Sequence, residues 1–238
     1  MSSFLVFDAF VRYIKVQFDI VEGYMKQIDL MVFDLDGTLV RSGEDLVVAV
    51  NHTLQTLGFS VLEPNTVQGF VGDGLEALVR RTLGPSDGEY HEQAMAIFYS
   101  YYSEHLLDHT TLYPDVLTVL DHFADKIKVV VTNKKQQYAM MITQGLGVDS
   151  YFLEIIGEGG SPYSKPDPRL LHLVMAKWGV TPGRTAVIGD GVNDVLLARQ
   201  AGALGCALLG GMTERGKLFS LAPDLTCETL SDLMVLLG

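Results

Sequence analysis

The amino-acid sequence predicts an α/β fold, a doubly wound parallel sheet interrupted after its first strand by an inserted α-helical cap domain. Three observations predict it. From Ile28 onward, short apolar runs alternate with amphipathic stretches, and each run ends in small or acidic residues, the pattern of buried parallel strands joined by helices. The interval 40–112 breaks that rhythm with helical periodicity and no comparable strand. The chain's 238 residues, 48% hydrophobic and 19% charged, suffice to bury a full core plus an insertion, and they exclude a disordered chain.

Residues 1–24 form an amphipathic extension ahead of a second methionine, Met25. Phe4, Phe7, Val11, Ile14, Phe18 and Val21 recur at spacings of three and four, which draws one apolar stripe along a helix. Asp8, Arg12, Lys15 and Asp19 interrupt it, so neither a membrane span nor a signal peptide is expected. Translation from an upstream start, a helix packed on the body, and a dimerisation or partner-binding helix all fit this stripe.

The core is expected to comprise residues 25–39 and 113–238. Its strands are read at Leu30–Asp34, Lys128–Thr132, Glu154–Gly157, Ala186–Gly189 and Leu204–Leu208, with helices at Gln136–Gly145, Pro168–Trp178 and Val192–Ala201. Right-handed crossovers join them into a doubly wound sheet. Within 40–112, helical periodicity runs through Leu46–Leu57, Leu75–Leu83 and Glu89–Leu107, punctuated by Pro64, Gly72-Asp73-Gly74, Gly84-Pro85 and Asp87-Gly88. An insertion at this point sits over the carboxyl end of the sheet, where open parallel sheets bind ligands, and so reads as a lid.

A formal charge of -12 and a pI near 4.8 exclude a nucleic-acid or anionic-membrane surface, since phosphates repel such a chain. Cys206 and Cys227 are too few for a disulfide framework and too far apart for a zinc pair, so they read as thiols of a reducing compartment, the cytoplasm.

The chemistry concentrates at strand ends. Asp34-Leu35-Asp36-Gly37-Thr38-Leu39 follows the first apolar strand, and two carboxylates there need a counter-charge. A hard divalent cation such as Mg2+ suits carboxylate and carbonyl oxygens; an Asp-Gly turn beside a solvated acid is the plain alternative. Ile188-Gly189-Asp190-Gly191-Val192-Asn193-Asp194 repeats the arrangement at another strand end. There Asp190 is placed to reach the cation, and Asp194, a helical turn on, to hold a metal-bound water or orient its neighbours. Thr132 and Asn133, where an apolar strand runs into a polar turn ahead of a helix, form an anion site suited to phosphate, with Thr132 the expected ligand. Lys165, held among Pro162, Pro166 and Pro168, brings the positive charge that such a carboxylate cluster and a phosphate together require.

These motifs, in this order, resemble the haloacid dehalogenase superfamily over Met25–Gly238, and the short helical insertion resembles its phosphoglycolate-phosphatase-like branch. The resemblance implies that Asp34 is the nucleophile and Asp36 the acid/base. It also implies that the Asp34 carboxylate, the Asp36 backbone carbonyl and Asp190 hold Mg2+, that Thr132 binds phosphate, and that Lys165 stabilises the transferred group. An acid at position 36 implies phosphoryl chemistry rather than dehalogenation. The expected function is a Mg2+-dependent phosphomonoester hydrolase acting through an aspartyl-phosphate on a small phosphorylated metabolite, phosphoglycolate first, as a monomer or homodimer. A sugar phosphomutase shares the motifs. A phospho-receiver domain is shorter and lacks both the acid two residues on and the lid.

Two departures from that pattern stand out. Arg41-Ser42 replaces the acid and serine that many relatives carry, and Gly191 replaces a frequent serine. The Gly72-Asp73-Gly74 turn and Arg80 lie where relatives place lid residues that meet substrate, although a helix-breaking turn and a solvated arginine explain them equally well. His105 and His109 fall outside every motif and read as exposed helix residues, and Trp178 as a core-stripe residue.

Overall fold

The computed structural model describes residues 28–238; the amphipathic stripe of residues 1–24 lies outside them. The chain runs through β1 (Leu30–Phe33), β2 (Val40–Arg41), α1 (Gly43–Thr56), α2 (Pro64–Gln68), α3 (Leu75–Leu83), α4 (Asp87–His105) and β3 (Thr111–Leu112). It continues through α5 (Val116–His122), β4 (Ile127–Lys135), α6 (Gln136–Gly145), β5 (Glu154–Glu158), α7 (Pro168–Trp178) and β6 (Thr185–Gly189). The last elements are α8 (Val192–Ala201), β7 (Leu204–Leu208), α9 (Arg215–Ser220), β8 (Leu225–Cys227) and α10 (Leu233–Leu236).

Every residue of β1 is buried, and alternation sends them to opposite faces. Leu30 and Val32 join Leu170, Leu171 and Val174 of α7 and Leu197 of α8. Met31 and Phe33 join Val116, Tyr138 and Ile142 on the other side. A strand buried on both faces needs a helix layer on each, which is the doubly wound arrangement. The six strands order as β5-β4-β1-β6-β7-β8, and all pair in parallel. The helices begin and end where the sequence supplies caps. For α7, the Asp167 side chain accepts from Arg169 N–H, Pro168 takes the first turn, and Gly179 closes the helix at φ 67°.

The insertion is helical, as expected. Ala94, Phe98 and Tyr102 of α4 recur every four residues on its buried face and join Leu46, Val50 and Leu78 in the cluster that also contains Met31 and Phe33. Its apolar face is therefore continuous with one side of the sheet. Among the described residues no helix is long and apolar enough to cross a membrane.

Several details differ from expectation. β2 and β3 pair antiparallel, Val40 with Leu112 and Arg41 with Thr111, making a neck where the chain leaves and re-enters the core; strands of two residues carry no periodicity to read. β8 was likewise too short to be legible. The Asp87-Gly88 pair opens α4 rather than breaking a helix, because first-turn N–H groups need no intrahelical acceptor. His109 lies beyond α4, and its Nδ1 contacts the buried Asp45 at 2.8 Å. β4 runs on to Lys135, so Asn133 and Lys134 are on extended backbone and not at a helix start.

Candidate active site

Parallel strands deliver their carboxyl ends to one edge. Phe33 is in register with Val130 on one side and Ile188 on the other, and Asp34 N–H bonds Ile188 O at 2.9 Å. Asp34, Thr132 and Asp190 therefore emerge together. One carboxylate oxygen from each of Asp34, Asp190 and Asp194 lies within 4.8 Å of the others. Lys165, buried in the same place, sets its Nζ 2.8 Å from Asp34 Oδ1 and 2.6 Å from Asp194 Oδ1. Asp194 Oδ2 accepts from Gly191 N–H at 2.9 Å. Asp190 accepts from the Thr38 hydroxyl at 3.1 Å and from Met212 N–H at 2.7 Å.

The electrostatics follow from burial. Water is excluded from Asp190, and Asp34 repels it, so its carboxyl is pushed up to about 7 despite the Met212 and Thr38 bonds. Asp194 moves upward for the same two reasons. Burial pulls the Lys165 ammonium down, but Asp194 and Asp34 beside it more than compensate and hold it above its ordinary value. A rise from 3.8 to about 7 at Asp190 corresponds to roughly 4 kcal/mol of strain on the ionised form, which a cation would relieve.

Glycines make the crowding possible. A Cβ at Gly37 would stand 2.3 Å from Asp190 Oδ2, and one at Gly211 would stand 2.2 Å from Asp190 Cβ. Gly37 also sits at φ +82°. Gly58 has almost the same angle, φ +81°, with nothing within 4 Å of a built Cβ, so it isolates the backbone effect. Gly58→Ala is expected to cost about 1 kcal/mol, and Gly37→Ala about 1–3 kcal/mol more through overpacking against Asp190. Paired thermal melts check this; equal losses would deny the contact.

Asp36 lines the same cavity but stands outside the cluster of Asp34, Asp190 and Asp194. Its carboxylate meets Lys134 Nζ at 3.1 and 3.0 Å and accepts from the buried Ser42 hydroxyl. Thr132 is buried at the same edge, its Oγ1 accepting from Lys134 N–H at 3.2 Å. Asn133 ties Lys165 in place through Oδ1 to Lys165 N–H (3.0 Å) and Nδ2 to Lys165 O (3.1 Å). Asn133 also reaches the insertion, where Gly72 O accepts from its Nδ2 at 3.0 Å and from Asn193 Nδ2 at 3.2 Å. The 72–74 turn is thus latched over the strand ends, above a cavity of about 660 Å³ lined by both parts.

Asp34, Asp36, Thr132, Asn133, Lys165, Asp190 and Asp194 all line that cavity. Arg80 does not; it pairs with Asp87 on the surface, and its neighbour Arg81 lines the cavity, bonded to Asp73 and to Phe70 O. Thr38, Ser42 and Lys134 stood inside or beside the motifs without an assigned role. Tyr102, whose hydroxyl bonds Lys134 at 2.7 Å, had no sequence signal beyond its place in an apolar stripe.

The fold and the site define a class: a doubly wound α/β core whose strand ends gather carboxylates around a buried lysine beneath a helical insertion. Comparison with known proteins narrows the class: the haloacid dehalogenase-like hydrolase model matches residues 31–207, and the chain belongs to that family. It is 36% identical over 217 residues to the phosphoglycolate phosphatase of Chromobacterium violaceum, covering 88% of this chain and 96% of that one. It is 31% identical over 220 residues to the phosphoglycolate phosphatase of Vibrio parahaemolyticus, with the same coverage. The crystal structure of a predicted phosphoglycolate phosphatase from Haemophilus somnus superposes with a TM-score of 0.85 at 28% identity, covering 90% of this chain and 100% of that one.

Proposed function

We propose that this phosphatase is a Mg2+-dependent phosphomonoesterase that forms and hydrolyses an aspartyl-phosphate on Asp34, with phosphoglycolate the favoured substrate. The observation that carries the reading is the carboxylate cluster of Asp34, Asp190 and Asp194 around the Lys165 ammonium. Relatives named phosphoglycolate phosphatase support the reaction class and the substrate. The same reading takes 25–39 and 113–238 as the catalytic core and 40–112 as its cap.

The donor set fits Mg2+: clustered oxygens, no imidazole or thiolate among them, and an Asp190 carboxyl whose raised pKa is relieved by a cation. Asp34, Asp190 and the Asp36 carbonyl would hold the ion, with Asp194 orienting Lys165. When bound, it neutralises charge on the phosphoryl oxygens. The Asp34 carboxylate attacks phosphorus, the bond to the leaving oxygen breaks, and Asp36 protonates that oxygen. Asp36 then takes a proton from water as the water attacks the phosphorus of the acyl phosphate, returning Asp34 and free phosphate. The Thr132 hydroxyl and the Asn133 main chain hold the phosphate, and Lys165 lies against the transferring group. Arg81 and Lys217 among the cavity residues offer charge for a substrate carboxylate.

Phosphate release from a panel of phosphorylated metabolites, with Mg2+ and with chelator, tests the reading. Turnover of phosphoglycolate that falls roughly 100-fold or more on chelation is expected. Metal-independent turnover, or an isomerised sugar phosphate formed without free phosphate, would overturn it.

A further inference from the structure

The Lys134 ammonium is spent completely. Its Nζ lies 3.1 and 3.0 Å from the two Asp36 oxygens and 2.7 Å from the Tyr102 hydroxyl, which accounts for all three of its N–H donors. The side chain is 1% exposed. The three partners come from different parts of the chain: Asp36 from the loop after β1, Lys134 from the end of β4, and Tyr102 from the last turns of α4 in the insertion. Tyr102 is itself fully buried. Its ring packs on Phe98 of the same helix and edge-on against Tyr138 of α6, each at 5.3 Å, so it is wedged between insertion and core. Burial pushes the phenol up to about 12, and it stays a neutral hydroxyl throughout the working pH range.

We infer that Tyr102 and Lys134 are positioning residues: the hydroxyl from the insertion anchors the ammonium that grips both oxygens of Asp36, so the aim of this carboxyl depends on the insertion being docked. The inference rests on the reading above, in which Asp36 delivers the leaving-group proton. Neither positioning residue changes protonation in the step. The proton passes from Asp36 to the leaving oxygen as its bond to phosphorus breaks, and the pair fixes only where Asp36 stands. A displacement of that carboxyl by about 1 Å is enough to cost up to roughly 100-fold in the proton-dependent step.

The leaving group separates this role from a structural one. An alkoxide needs the proton, whereas p-nitrophenolate departs without it. Single-turnover reactions, which report transfer to Asp34 alone, are run with p-nitrophenyl phosphate and with phosphoglycolate, or with the fastest alkyl phosphate of the panel where wild-type enzyme does not cleave phosphoglycolate. Tyr102→Phe keeps the ring and removes the anchor. It is expected to slow the alkyl substrate about tenfold and the aryl substrate less than about twofold, with KM for both within about twofold. Lys134→Met should shift the same ratio further, and melts of both variants with Mg2+ verify that they are folded. Equal losses on the two substrates, or none, would overturn the inference while leaving the nucleophile assignment standing. Asp34→Asn, run alongside, must abolish transfer from both; if it does not, the underlying reading fails instead.

Discussion

Asp34→Asn is expected to remove phosphate release, by a factor on the order of 10⁴ or more, and at the same time to raise the melting temperature of the metal-free protein. The first effect follows from nucleophilicity: an amide oxygen has neither the charge nor the leaving behaviour that an acyl-phosphate cycle needs. The second follows from repulsion. Asp34 is a principal cause, after burial, of the upward push on both Asp190 and Asp194, so deleting its charge lets both ionise closer to their ordinary range. Lys165 retains its 2.6 Å bond to Asp194, so the substitution strands no buried ammonium. A residue that matters only for folding would lose stability and activity together; here they move in opposite directions. Phosphate release and a melt in chelator measure both, and retained turnover would remove Asp34 from its role.

How much of this was legible in the sequence depended on the range of the interaction. Asp34, Asp190 and Lys165 were readable because each stands at the end of a long apolar run or in a proline-fixed turn, where chain geometry forces a particular placement. The buried Lys134 was printed in the same stretch as Thr132, but a lysine at a strand end reads as solvated unless its acceptors are known, and those are Asp36 and Tyr102, from distant segments. Tyr102 belongs to a helix whose periodicity shows which face is buried, yet periodicity cannot reveal that one hydroxyl on that face meets a charge. Arg80 and Arg81 differ by one residue, a rotation of about 100° on a helix, so which face of α3 is turned to the strand ends decides which of them enters the cavity. The β2–β3 neck escaped because two residues are too few to show alternation.

Beyond the Ser42 hydroxyl bond to Asp36 at its root, the insertion touches the site through two separate sets of contacts. The 72–74 turn is bonded by Asn133 and Asn193, and Tyr102 by Lys134. The first encloses the cavity, and the second ends on the carboxylate of Asp36. Both depend on residues adjacent to the proposed phosphate and metal positions of the core, so a displaced insertion would change solvent access and the position of the proposed acid together. On the proposed mechanism, water exclusion and proton delivery would then be two consequences of one docking event.

Lys165→Met is expected to damage stability and turnover together, and Mg2+ is expected to repair only the first. Met matches the lysine stem in bulk but leaves Asp34 and Asp194 without the ammonium that lies 2.8 and 2.6 Å from them. Breaking a buried ion pair from one side costs about 3–5 kcal/mol, which for a chain of this size lowers the melting temperature by roughly 6–20 °C. The loss is largest in chelator, because a bound cation takes over part of the neutralisation. Its pH dependence has a defined sign. The carboxyls of Asp190 and Asp194 are raised in the folded state, and losing the ammonium raises them further. The share of the penalty that these two carboxyls carry therefore appears as the pH rises above about 7, where the wild-type groups ionise and the variant's resist ionisation, and it is absent at lower pH, where they are protonated with or without the ammonium. Turnover does not follow the stability back. Mg2+ restores net charge but not a donor against the transferring phosphoryl oxygens, and losing such a donor costs on the order of 10²–10³ in kcat. Melts across pH with and without Mg2+, beside kcat at saturating Mg2+, separate the two. A variant whose kcat recovers along with its melting temperature would show that Lys165 serves the fold and not the reaction.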